Sequence, residues 1–152
     1  MTWTPAGSAE PGPAGDDMVI VDTTVWVDYL NGHTTPEVEW FDRESERQRL
    51  GLLDLTVCEV LLGVSTDAVA ARVLRTLRRF EIFDSGGVAL AEAAARNFRR
   101  LRARGRTVRK TIDCLIATFC LEHSHALLHC DRDFDAFEDV LSLQVVRPRD
   151  PE

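Results

Sequence analysis

The chain has 152 residues, 45% of them hydrophobic, and a formal net charge of −7. This length and apolar fraction suit one globular domain around one core, and the absence of any run of 18 apolar residues excludes a predicted membrane-spanning helix. The acidic balance argues against a protein that binds nucleic acid over its whole surface.

The two ends of the chain are predicted to lie outside the folded domain. Residues 1–17 are rich in Pro, Gly and Ala and lack the basic start and apolar run of a signal peptide, so we expect a disordered N-terminal extension. The domain is predicted to span 18–147, with a short C-terminal tail at 148–152. Four cysteines without a CxxC pair favour a reduced, cytoplasmic protein.

Short apolar runs predict the strands. The first, 18–22, is apolar until its last residue, as expected of a strand buried on both faces of a parallel sheet. The other predicted strands are RLGLL at 49–53, EIFD at 81–84, ALLHC at 126–130 and a last strand at 142–146.

Helices are predicted between these strands from apolar spacing and end signals. Thr23 or Thr24 can cap the first helix, and Gly32 closes it. The further predicted helices are 35–46, 54–63, 67–80, 88–104, 111–123 and 132–138. Because strands alternate with helices, the sequence predicts the α/β class, as an α/β/α sandwich around a mostly parallel sheet.

Two acidic residues follow predicted strands. Asp22 ends the first strand and Asp131 follows ALLHC. The carboxyl ends of parallel strands are where sites form in such sheets. Each acid also precedes a helix start, where negative charge is favoured, so a purely structural role explains either one alone. A carboxylate at the edge of a core is costly, however, unless it is paired, hydrogen-bonded or bound to a metal.

Two further acids lie on apolar helices. Asp113 is in the first turn of the predicted helix 111–123, and Glu59 interrupts VCEVLLGV. Clustered carboxylates repel one another unless a cation intervenes, and a set of oxygen ligands selects Mg²⁺ or Mn²⁺. Such sites act on phosphates, which points to metal-assisted hydrolysis.

The segment 96–110, RNFRRLRARGRTVRK, carries eight basic residues and no acidic one. Two explanations fit this pattern equally. The basic residues could form a solvated helix face, or they could form a surface that contacts phosphates or an acidic partner segment. The residues predicted to bind RNA or a protein partner are Arg99, Arg102, Arg104, Arg106, Arg109 and Lys110.

Three stretches together resemble the PIN-domain ribonucleases, and most closely the VapC-type toxins of bacterial toxin–antitoxin pairs. They are VDTTVWVDYL, the Glu in its apolar helix, and IDCLIATFCLEHSHALLHCDRDF. The resemblance covers residues 18 to about 147. It implies a PIN-like sandwich and a Mg²⁺-dependent endoribonuclease, with Mn²⁺ as a substitute, that hydrolyses RNA through metal-activated water to a 5′-phosphate and a 3′-hydroxyl.

The resemblance also implies roles for individual residues. The matching catalytic acids are Asp22, Glu59, Asp113 and Asp131. The matching metal ligands are Asp22, Asp113, Asp131 and Asp133. Thr24 matches a position where similar proteins carry Ser or Thr, and it is expected to support either Asp22 or a metal-bound water. Asp135 competes for the role given to Asp133, and Asp28 is expected on the surface of the first helix.

Partners follow from the same resemblance: an RNA substrate, a cognate VapB-type antitoxin, and a homodimer that assembles further with the antitoxin. Two alternatives stay open. The fold could serve as an RNA- or protein-binding module with little catalysis, or as a housekeeping RNA-processing nuclease. A structural zinc at His33, His123, His125 or His129 with Cys120 or Cys130 is disfavoured, because no second ligand pair matches the spacing.

Overall fold

A computed structural model of the chain describes residues 18–148. The predicted extension 1–17 and residues 149–152 of the predicted tail lie outside the described residues. Four strands form the sheet: β1 (Met18–Val21), β2 (Arg49–Leu53), β3 (Glu81–Phe83) and β4 (Ala126–Leu128). The helices are α1 (Thr23–Leu30), α2 (Pro36–Glu44), α3 (Asp54–Leu62), α4 (Asp67–Leu77), α5 (Gly87–Ala103), α6 (Thr111–His123) and α7 (Asp135–Leu141), with a 3₁₀ turn at Arg132–Phe134.

The sheet is entirely parallel, with strand order β3-β2-β1-β4. The chain builds outward from β1 through β2 to β3 and then returns to add β4 on the other side of β1. The strand order therefore reverses between β1 and β4, and a crevice opens at the carboxyl ends of strands at such a reversal. The predicted α/β/α sandwich around a parallel sheet is confirmed.

Helices cover both faces of the sheet and form two cores. Along β1, Val19 and Val21 face the layer of α1–α4, while Met18 and Ile20 face the layer of α5–α7. All four residues of β1 are buried, as predicted for a central strand. Among the described residues, no helix is both long enough and apolar enough to cross a membrane.

Trp26 anchors the end of β1 to the first helix. Its side chain is fully buried, and its indole Nε1 donates a hydrogen bond to the carbonyl oxygen of Val21 at 3.1 Å. Its ring makes edge contacts with Phe41 and Phe80, each at a centroid distance of 5.1 Å. This packing holds the turn from β1 into α1, which carries the first acidic residue of the site.

Three local predictions differ from the structure. The cap of α1 is Asp22 rather than Thr23 or Thr24, because its carboxylate accepts the backbone N–H of Thr24. The predicted strand 142–146 makes a single parallel bridge, between Val145 and Leu127, and no strand. The predicted helix 132–138 is a 3₁₀ turn followed by α7.

Gly51 in β2 is expected to be required for close packing between strands. A Cβ atom there would lie 2.9 Å from the Glu81 carbonyl oxygen and 2.9 Å from Cε2 of Phe83. Since the backbone of β3 cannot yield without breaking the sheet, we expect Gly51→Ala to lower the free energy of unfolding by about 1–3 kcal/mol, measured by urea denaturation.

Gly63→Ala is the matched control for this prediction. Its Cβ would meet the Val60 carbonyl oxygen at 3.5 Å, an ordinary contact. It should change the free energy of unfolding by no more than about 0.5 kcal/mol. Equal stabilities for the two variants would contradict the packing argument.

Candidate active site

A cleft of about 330 Å³ opens where β1 and β4 end. Acidic side chains from separate segments of the chain converge on it. Its lining residues are Asp22, Thr23, Thr24, Val27, Asp28, Glu59, Lys110, Asp113, Cys130 and Asp131.

Asp22 is held at the end of β1 by its neighbour two residues on. Its Oδ2 accepts hydrogen bonds from the Thr24 hydroxyl at 2.7 Å and from the Thr24 backbone N–H at 3.2 Å. The Thr24 hydroxyl oxygen in turn accepts the backbone N–H of Cys130 at 3.1 Å. Thr24 therefore ties the end of β1 to the segment after β4.

Glu59 reaches the cleft from the second turn of α3. Its Oε1 accepts a hydrogen bond of 2.7 Å from the hydroxyl of Thr23, in the first turn of α1. This bond fixes a carboxylate that would otherwise be free to turn, and it accounts for a Glu within an apolar helix.

The carboxylates of Asp22 and Asp113 are buried, with exposures of 2% and 4%. One oxygen of each, Oδ1 of Asp22 and Oδ2 of Asp113, is shielded from solvent and has no hydrogen-bond partner among the described residues. Burial raises the pKa of Asp22, and the negative charge of Glu59 adds to this. Burial, followed by the charges of Asp22 and Asp131, raises the pKa of Asp113 to about 7, although Lys110 lowers it.

The segment after β4 forms a tight turn that presents two more acids. Oδ1 of Asp131 accepts the backbone N–H of Asp133 at 2.9 Å. The backbone N–H of Asp131 donates to Nδ1 of His129 at 3.1 Å, and burial lowers the pKa of that imidazole. Oxygen atoms from Asp113, Asp131 and Asp133 all lie within 4.8 Å of one another, so one cation could contact all three.

Part of the basic segment 96–110 folds over these acids. Lys110 Nζ lies 3.7 Å from Oδ2 of Asp131, and Arg109 Nη2 lies 3.5 Å from Oδ1 of Asp133. The charges of Asp113 and Asp131 raise the pKa of Lys110, so its ammonium stays protonated. Farther away, Arg106 pairs with Asp139 at 3.1 Å. The arginines on α5 are exposed; they are Arg96, Arg99, Arg100 and Arg102.

The structure brings all four predicted catalytic acids to the cleft or its edge. Of the two competing acids, Asp133 joins the group that could hold a cation, whereas Asp135 starts α7 outside it. Asp28 lies on α1 with a partly exposed side chain, which lines the cleft and pairs with His33 at 3.2 Å. The contacts of Thr23 and His129 were not predicted, although Thr23 follows Asp22 directly and His129 lies two residues before Asp131.

The donor set and its electrostatics fit a hard divalent cation. Every candidate ligand is a carboxylate, and two of them bury an oxygen that no donor within residues 18–148 satisfies. Leaving such groups unpaired costs about 1–3 kcal/mol each, more for a charged group, and a cation would remove that cost.

The sequence is similar to a known family and to known proteins. The sequence profile of the PIN domain family matches residues 19–140. Ribonuclease VapC11 from Mycobacterium tuberculosis is 28% identical over 129 residues, which cover 84% of this chain and 96% of that protein. VapC ribonuclease Mb1587 from Mycobacterium bovis matches to the same extent.

The fold was also compared with solved structures. VapBC2 from Rickettsia felis, bound to a DNA fragment from its promoter, gives a TM-score of 0.69 at 16% identity, covering 85% of this chain and 97% of that chain. FitAcB from Neisseria gonorrhoeae gives 0.65 at 23% identity, with coverages of 86% and 98%. At these identities the likeness shows a shared fold.

The raised pKa of Asp113 makes the stability of the metal-free protein depend on pH. This carboxyl titrates near 3.8 in the unfolded chain and near 7 in the folded one. Between these values the folded state binds more protons, so this residue lowers the free energy of unfolding as pH rises from about 4 to about 7. We expect Asp113→Asn to be more stable than wild type at pH 8, by more than about 1 kcal/mol.

Urea denaturation of the EDTA-treated proteins across this pH range measures the effect. The difference between Asp113→Asn and wild type should grow with pH and then level off above about pH 7, where the folded protein has lost the proton. A difference that is constant from pH 4 to pH 8 would contradict the assignment.

Proposed function

The chain belongs to the PIN domain family, and from this membership and the geometry of the cleft we propose that it is a Mg²⁺-dependent endoribonuclease. Its role would be that of the toxin in a VapBC-type toxin–antitoxin pair. Support comes from the two Mycobacterium relatives, both named ribonucleases, which match over most of their length.

One observation carries the proposal: two buried carboxylates with unsatisfied oxygens, Asp22 and Asp113, face a cleft that holds further acids and a lysine. An arrangement kept only for stability would place donors on those oxygens, because an unpaired buried carboxylate destabilises the fold. A site that binds a cation and then a phosphodiester requires these carboxylate oxygens to be free of protein donors.

The residues proposed to hold Mg²⁺, or Mn²⁺ in its place, are Asp22, Asp113, Asp131 and Asp133. When bound, the cation would supply Lewis-acid activation of water and would neutralise charge on the phosphodiester. Thr24 keeps Asp22 in place through its hydroxyl, and Thr23 does the same for Glu59. Glu59 is then positioned, on the α3 side of the cleft, to orient an attacking water molecule.

The basic residues near the cleft are proposed to contact RNA. Lys110 lines the cleft and carries a protonated ammonium beside the acids, so it can balance charge on non-bridging phosphate oxygens. Arg99, Arg102 and Arg104 are exposed on α5 or at its end, where they can contact the phosphates of a longer RNA. Arg106 and Arg109 are already paired with acids of the chain itself.

We further propose a VapB-type antitoxin as partner, with assembly through a homodimer, in the cytoplasm. The solved structures that share this fold include toxin–antitoxin complexes, which supports a protein partner. The acidic cleft suits a partner segment that carries arginine.

Cleavage of total RNA by the purified chain, free of any co-purified antitoxin, tests the nuclease. Wild type with Mg²⁺ or Mn²⁺ should give discrete fragments that vanish with EDTA. Asp113→Asn should lower the cleavage rate by about 100-fold or more, because a cation ligand is lost.

The control for this test is Asp84→Asn, which removes an exposed acid that also follows a strand, β3, but lies outside the cleft. It should cleave as wild type does. Identical fragment patterns for wild type and Asp113→Asn would show that the activity is a contaminant. No cleavage by any antitoxin-free variant would favour the binding-module alternative.

Charge reversal on α5 tests the RNA surface. We expect Arg99→Glu with Arg102→Glu to raise KM for RNA about tenfold or more at low salt, with kcat retained, because phosphate contacts add to binding and not to the chemical step. The negative slope of log affinity against log salt concentration should become shallower by about 1–2.

The matched control is Arg72→Glu with Arg75→Glu on α4, in the opposite helix layer. It makes the same change in net charge away from the α5 surface. If both double variants raise KM equally, the effect is one of overall charge and the α5 surface is not the binding site.

A further inference from the structure

His129 is a buried polar residue that the proposed chemistry does not use. It follows β4, is 8% exposed, and its ring packs on Phe134 at a centroid distance of 4.8 Å. Its Nε2 is shielded from solvent and has no hydrogen-bond partner among the described residues. A histidine kept for packing alone would be a poor choice, since an apolar side chain fills such a place without burying an unpaired nitrogen.

The other ring nitrogen explains the histidine. Nδ1 accepts the backbone N–H of Asp131 at 3.1 Å. Only an unprotonated ring nitrogen accepts a hydrogen bond, so this contact requires the neutral ring with its proton on Nε2. The fold thus leaves Nε2 unsatisfied and uses Nδ1 to hold the backbone of a site residue.

The contact is the first in a short series of hydrogen bonds. Asp131 Oδ1 accepts the N–H of Asp133, and the Asp131 carbonyl oxygen accepts the N–H of Phe134 at 3.2 Å. Phe134 is fully buried and packs back against the imidazole. Rotation of the Asp131 backbone would therefore displace its carboxylate from the N–H of Asp133 and from Lys110. It would also move the carboxylate of Asp133 away from Arg109.

We propose that His129 is a positioning residue of the site. Its Nδ1 fixes the Asp131 backbone, so that Asp131 and Asp133 direct their carboxylates toward Asp113. This inference rests on the proposed function, because it concerns how well the acids hold a divalent cation. Groups that support metal ligands in this way commonly change metal affinity by 10- to 100-fold when removed.

Three variants of the full chain separate positioning from packing. His129→Leu removes the acceptor but keeps an apolar side chain of similar size, and His129→Asn keeps an acceptor oxygen on Cγ, where Nδ1 is attached. Asp131→Asn serves as the reference for a lost ligand. The readout is Mn²⁺ affinity of the metal-stripped proteins, from the electron paramagnetic resonance signal of free Mn²⁺.

We expect His129→Leu to bind Mn²⁺ about tenfold more weakly than wild type and His129→Asn to recover affinity to within about threefold. Thermal melts should show His129→Leu folded and close to wild type in stability, because the loss of the Nδ1 hydrogen bond and the removal of the unpaired Nε2 act in opposite directions. Unchanged Mn²⁺ affinity in folded His129→Leu would overturn the proposal, as would a loss of affinity that His129→Asn does not recover.

A measurement on the wild-type chain keeps the test independent of how the variants fold. Nitrogen NMR should find the His129 proton on Nε2 and a coupling across the hydrogen bond between Nδ1 and the Asp131 amide nitrogen. A proton on Nδ1 would overturn the proposal. If wild type binds no Mn²⁺, the proposed function and this inference both fail. If wild type binds Mn²⁺ and His129→Leu binds it with the same affinity, only this inference fails.

Discussion

Burial of two carboxylates side by side is the constraint on which the rest of the site depends. Asp22 and Asp113 lie where water is excluded, and the charge of Asp22 makes ionisation of Asp113 less favourable. The fold tolerates this because the backbone around them is held from several directions, by the Thr24 hydroxyl on one side and the Trp26 anchor beneath. A rigid frame thus keeps in place two carboxyl groups whose ionisation a bound cation would favour.

Much of this could be predicted from local signals. The run Met18–Val21 is apolar throughout because helices cover both faces of the sheet, and burial on both faces is visible in sequence. The placement of Asp22 and Asp131 at one edge followed from parallel strands alone, since the carboxyl ends of such strands share an edge. Glu59 and Asp113 were suspected because charge on an apolar helix contradicts the usual pattern.

The errors arose where the outcome depends on the approach of distant segments. The stretch 142–146 is apolar enough for a strand, yet its pairing with β4 is limited to one bridge, which no local pattern reveals. The position of Asp28 at the rim of the cleft likewise depends on where the fold places α1. Thr23 looked like a cap because its partner, Glu59, lies 36 residues away. Hydrogen bonds of this kind follow from the fold and cannot be read from spacing.

The acids of the cleft come from both helix layers. Asp22 and Glu59 adjoin the layer of α1–α4, whereas Asp113 belongs to α6 on the opposite face. An occupant that contacts both sides therefore cross-links two layers that the sheet separates, and it stabilises the folded chain by mass action. Proteases cut transiently opened chains, so the lifetime of the protein in a cell would follow the occupancy of its cleft. The chain would be degraded faster with the cleft empty than with the cleft filled.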